Sequence, residues 1–87
     1  MLFRSRNSEF AVLMVARHFS NPIEWHIHRP IAEKEGVDPR TCDALAEGRR
    51  PTTLSDDEAI IYDALEELRS NRSLCDATYE QIGRAHV

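Results

Sequence analysis

Cysteine is scarce in this chain, and neither copy is placed for dithiol chemistry. Cys42 and Cys75 stand far apart and neither belongs to a CxxC. They read as two free thiols in a reducing compartment. Long hydrophobic runs are also lacking. The longest, Phe10 to Ala16, falls far short of the roughly 20 residues a membrane span needs. Glu9 interrupts its approach and no small-residue cleavage site follows, so it does not read as a signal peptide. The expected location is the cytoplasm, with no membrane partner. Positive charge is short as well: the net charge is −4. Arg4 and Arg6 cluster and Arg49-Arg50 form a pair, but neither makes the basic stripe that a nucleic acid or an anionic membrane would require. There is no strand-like alternation of useful length, no internal repeat and no low-complexity segment.

What is present is a helical pattern. With 87 residues, 41 % hydrophobic and 30 % charged, the chain makes one domain at most. A chain this short buries only about 60 % of its unfolded surface, so partner chains are expected to help complete the core. Ser8 stands as the cap of a first helix running from Glu9 to about Phe19. Its apolar run covers every side, which predicts burial all round. Arg17 and His18 fall in its last turn, where cations suit the helix dipole.

Asn21-Pro22 opens a second helix and Gly36 stops it. Ile23, Ile27 and Ile31 recur at i, i+4 and i+8 as one apolar stripe, and Pro30 predicts a kink. Asp38-Pro39 starts a short third helix that ends at Gly48. Ser55-Asp56-Asp57-Glu58 is a capping box, with Leu54 and Ala59 as a hydrophobic staple. The fourth helix then runs to about Ser70, with Ile61, Leu65 and Leu68 as its buried stripe and Ile60 and Ala64 widening it. Asp56, Asp57, Asp63, Glu66 and Glu67 are expected to stay wet. A fifth helix is expected after Asp76. The expectation is therefore an all-α bundle of about five helices.

The tail stands apart. Ile82-Gly83-Arg84-Ala85-His86-Val87 can be encoded as ATC GGA AGA GCA CAC GTC, which matches a widely used sequencing-adapter string. Residues 82–87 are therefore read as adapter-derived, residues 1–81 as the domain, and His86 is left out of the search for a site.

The stretch "SNPIEWHIHRP", residues 20–30, gathers two histidines, a glutamate and the lone tryptophan. Glu24 and His28 are four apart and share a helix face. His26 lies about 200° around the helix from His28, so the two histidines cannot serve one metal ion. No HExxH and no third ligand is apparent, and no metal or other cofactor is expected. The serines lack a nucleophile-elbow setting and read as caps. Glu9 opens an otherwise apolar helix, and the turn at Asn21-Pro22 makes an αα-hairpin, which can bring Glu9 to His28. A carboxylate partner would fix a histidine tautomer for acid–base work. From spacing alone, plain structural ion pairs are the commoner reading of the same residues.

The ordered set "SEFAVLMVARHFSNPIEWHIHRPIAEKEGVDP", followed by "LSDDEAIIYDALEEL" and "CDATYEQ", resembles the carboxymuconolactone decarboxylase family, related to the alkyl hydroperoxidase-D-like proteins. The resemblance covers roughly residues 4–81. It implies an all-helical fold, assembly into trimers or hexamers, and a natural protein longer at both ends. In the hydroperoxidase branch a CxxC precedes a histidine by four residues, with an upstream glutamate. Aligning His28 with that histidine puts Glu9 at the glutamate, but Asn21 and Glu24 where the cysteines would stand. A peroxidase needs a thiolate, so peroxidase activity is not expected. The decarboxylase branch has the E-x-x-x-H arrangement that Glu24 and His28 match. The resemblance thus implies a cofactor-independent decarboxylase, or a related enzyme acting on an anionic lactone or dienoate, with Glu9, Glu24 and His28 as catalytic residues. A non-catalytic helical oligomer is the remaining alternative.

Overall fold

A computed structural model describes residues 5–70, which form four helices and no strand. These are α1 (Arg6–His18), α2 (Pro22–Lys34), α3 (Pro39–Ala46) and α4 (Asp56–Ser70). The fifth helix expected after Asp76, Cys75 and the stretch 82–87 lie outside the described residues. Among the described residues no helix is long and apolar enough to cross a membrane.

Helix α1 is the axle of the fold, packing against α2, α3 and α4. Its residues Phe10 to Ala16 are all buried, as a helix apolar on every side must be. Around Phe10, Leu13 and Met14 gather Ala32 of α2, Val37 of the following loop, Cys42 and Leu45 of α3 and Leu65 of α4. Ile61 packs against this core from its edge.

Helix starts and stops follow local chemistry. α1 begins three residues before the expected start. Ser5, not Ser8, is its N-cap: the Ser8 backbone N–H donates to Ser5 Oγ at 3.1 Å, and Ser8 Oγ accepts from the Ser5 N–H at 3.0 Å. This serine–serine box satisfies two donors that Glu or Gln at the third position would ordinarily share. Asn21, Asp38 and Ser55 cap the other helices as expected. α2 and α3 both end in a glycine at positive φ, with Gly36 at 111° and Gly48 at 77°. At α2 the Val37 N–H reaches back to the Ala32 carbonyl and the Gly36 N–H to that of Glu33. This closes the last turn and buries Val37 on Ala32. Pro30 sits inside α2 on its exposed side, and the helix continues past it.

Two apolar expectations differ in place. The first two isoleucines of the α2 stripe face outward, Ile23 at 69 % and Ile27 at 52 % exposed, while Ile31 is half-buried. The face that meets α1 instead carries Trp25, His28 and Ala32, at i, i+3 and i+7. Turning His28 inward necessarily turns Ile23 and Ile27 out, because they lie on the far side of the helix. On α4, Leu65 is buried, but Ile60 and Ala64 face solvent and do not widen the core stripe.

Candidate catalytic site

The hairpin between α1 and α2 builds the site. Its turn is closed by Ser20, whose φ of 50° lies in the left-handed region. The Asn21 N–H reaches the Ala16 carbonyl and the Ser20 N–H that of Arg17. This is the arrangement that ends α2 and α3, but with serine where those helices use glycine, at a cost of about 1 kcal/mol. Asn21 then caps α2, its Oδ1 accepting from the Glu24 N–H at 3.1 Å. The turn thus sets the start of α2, and with it the position of every side chain on its inner face.

The hairpin brings together all three residues singled out from the sequence. Glu9 is fully buried, and its Oε2 lies 2.9 Å from His28 Nδ1. Glu24 Oε2 lies 3.2 Å from the other ring nitrogen, Nε2, across one turn of α2. The His28 ring is almost fully buried, whereas Glu24 is 37 % exposed. An imidazole is therefore held edge-on between a carboxylate in the core and a carboxylate at the surface.

This geometry constrains the protons. A neutral imidazole carries one N–H and so can donate to only one carboxylate. Both short contacts are satisfied together when the ring is an imidazolium, or when one carboxyl carries a proton and donates it. The ring thus links a buried carboxylate to one that is half in solvent. His26 takes no part: it is exposed on another side of α2. His18 meets Phe19 edge-on, with ring centroids 4.7 Å apart, at the other end of α1. Among the described residues no cluster of three or more His, Cys, Asp or Glu is arranged to hold a metal ion.

The sequence did not reveal a second buried carboxylate. Glu58 is fully buried and takes the Arg6 guanidinium, Nε to Oε2 at 2.8 Å and Nη2 to Oε1 at 3.3 Å. Its Oε1 also accepts from the Ser55 N–H at 2.9 Å. The capping-box pattern shows the local part of this arrangement but not the arginine, which comes from the start of α1. The hydrogen bond to Glu58 raises the Arg6 pKa. Cys42, also fully buried, has its thiol pushed up to about 11 by desolvation. At neutral pH it is a packed thiol and not a nucleophile.

Compared with known proteins, the chain matches no family model, no curated protein and no solved structure.

Proposed function

We propose that this protein is a cofactor-independent acid–base catalyst of the carboxymuconolactone decarboxylase type, acting on an anionic lactone or dienoate. The observation that carries the reading is the buried His28 ring between Glu9 and Glu24. Loss of carbon dioxide from an unsaturated lactone pushes electrons into a conjugated carbonyl, and a carbon must then be protonated. His28 is the group that delivers or removes this proton. Glu9 orients the ring from the core through its contact with Nδ1. Glu24, half in solvent, exchanges the proton with water. The motif resemblance points to the same chemistry, and with it to a homo-oligomer. A thiol peroxidase is disfavoured, because Asn21 and Glu24 stand at the cysteine positions and Cys42 is buried with its thiol pushed up to about 11.

A purely structural role for the Glu9–His28 pair is the competing reading, favoured by the complete burial of Glu9 where α1 meets α2. The two separate experimentally. Turnover of a panel of muconolactones and dienoates is expected to fall about a hundredfold or more in His28→Ala, the usual contribution of a general acid or base. The exposed control His26→Ala should keep its rate. Equal rates for both variants, at equal folded content, would leave only the structural role.

A further inference from the structure

Arg17 differs from the other described arginines, each of which reaches a carboxylate within 3.2 Å. Among the described residues it forms no ion pair. Its Nε donates to the Ala46 carbonyl at 3.2 Å, and that bond fixes the guanidinium across the end of α3. Its Nη2 lies against Gly48, 3.4 Å from where a β-carbon at that glycine would stand. Gly48 has a φ of 77°, so the bare surface beside the guanidinium belongs to the turn that ends α3. Arg17 and Gly48 border a cavity of about 230 Å³ between α1, the end of α3 and α4. Met14 and Leu45, both part of the core, form its apolar floor. Its charges do not balance. Arg69 closes on Glu66, Nη2 to Oε2 at 2.7 Å, so these two cancel. Arg49 meets Glu47 through Nε, in a pair more than half exposed and open to screening by solvent. Arg17 has no counter-charge. Tyr62 adds a phenol from α4, and burial pushes its pKa up, so it keeps its proton at neutral pH and can donate.

We propose that this cavity is a phosphate site, holding the free ion or the phosphate group of a small ester, with Arg17 as its anchor and Arg49 and Tyr62 as further donors. The three come from α1, the turn after α3, and α4, and so approach a ligand from different sides. A tetrahedral phosphate offers oxygens in several directions, whereas a planar carboxylate suits a single guanidinium fork. The cavity is smaller than the roughly 300 Å³ at which sites for drug-sized ligands begin, which limits an ester to a few carbons over Met14 and Leu45. Arg17 stands about 12 Å along α1 from Glu9, so the site is separate from the Glu9–His28–Glu24 centre. Binding there does not depend on turnover at that centre.

Inorganic phosphate, glycerol 3-phosphate and glycerol, each titrated into the protein by calorimetry at low salt, test this. Both phosphates should bind saturably and glycerol should not. Arg17→Gln should weaken both about tenfold or more, the worth of one charge-assisted hydrogen bond, and Tyr62→Phe about threefold, the worth of a neutral one. Arg40→Gln removes the same charge from an exposed pair with Asp38 and should change affinity less than about twofold. Arg17 also ties down the end of α3, so Arg49→Gln, at an exposed residue, repeats the test with the fold intact and should cost about fivefold. Tighter binding of the ester assigns the site to a small phosphorylated metabolite, and tighter binding of the free ion assigns it to phosphate itself; either order upholds a phosphate site. Absence of saturable phosphate binding would overturn it. So would equal losses in Arg17→Gln and Arg40→Gln, the mark of a charge effect with no fixed site.

Discussion

Two carboxylates are wholly buried among the described residues, and they meet different kinds of partner. Glu58 lies in the first turn of α4 and Glu9 early in α1. Each meets a base from a distant part of the chain. Glu58 faces Arg6, a group charged at every accessible pH, and its two oxygens take two guanidinium donors and the Ser55 N–H. Nothing there can move a proton. Glu9 faces an imidazole, which gives and takes protons near neutrality, and the far nitrogen of that ring reaches Glu24 at the surface. Burial alone does not separate a latch from the reactive centre proposed above; the chemistry of the partner, and whether the pair has a polar route to water, is where the two pairs differ.

The largest contrast is expected on exchanging each buried carboxylate for its amide. On the proposed function, Glu9→Gln replaces the carboxylate that meets His28 Nδ1, and should lower turnover about a hundredfold. Glu58→Gln leaves turnover within about twofold. It destabilises the fold by about 1–3 kcal/mol, because it breaks a charge-assisted pair whose arginine is itself partly solvated. Urea melts and rate measurements on the two variants check this directly. If Glu58→Gln costs as much turnover as Glu9→Gln, the distinction between latch and centre is wrong.

A middle-sized effect sharpens the comparison through a buried titratable group of another kind, a thiol with no hydrogen-bonded ion partner. Burial raises the Cys42 thiol from about 9 to about 11, so the fold favours the neutral form. Stability from this group is complete below the ordinary thiol value and is lost as pH rises toward 11. Over that window the loss is about 2–3 kcal/mol. Cys42→Ala should flatten the alkaline limb of the stability curve, although it opens a small cavity that lowers stability at every pH. In the folded protein at neutral pH, alkylation of Cys42 should be far slower than in urea. Fast alkylation in the native state would reopen thiol chemistry.

Much of this was legible in the sequence, for reasons that can be named. Asn21-Pro22, Asp38-Pro39, Ser55-x-x-Glu58 and the two stopping glycines act within a single turn, so their residue types alone place the ends of three helices. The meeting of Glu9 with His28 was legible because a short turn between two helices leaves an antiparallel hairpin as the simple outcome, and i, i+4 spacing fixes Glu24 beside the ring. Contacts between sequence-distant groups were not legible. Arg6 reaches Glu58 across 52 positions, and no local pattern announces it. The outward isoleucines of α2 misled for a different cause: two faces of that helix competed for the core, and hydropathy favoured Ile23 and Ile27. The winning face holds His28, whose inward orientation comes with a hydrogen bond to a carboxylate already committed to the interior. At the start of α1, Ser5 and Ser8 are both good caps, and only the serine–serine pairing decides between them.

The smallest expected effect tests a carboxylate that is neither buried nor reactive. Asp38 caps α3, its Oδ1 accepting from the Arg40 N–H at 2.8 Å and its Oδ2 from Arg40 Nη2 at 2.8 Å. The Arg40 side chain, and then its backbone N–H, hold the Asp38 carboxyl down at about 2. A depressed value means that the charged form favours the fold. Its contribution is therefore present above the ordinary aspartate range near pH 4 and lost as pH falls through about 2. Asp38→Asn keeps an oxygen for the cap but carries no titrating charge. The variant should fold with α3 intact at neutral pH and lack the part of the acid limb between pH 4 and 2 that the parent shows. Glu9→Gln and Glu58→Gln should each retain that part of the limb. If Asp38→Asn leaves it unchanged, the Arg40 contact is a surface pairing that solvent screens away, and the cap works through its oxygen alone.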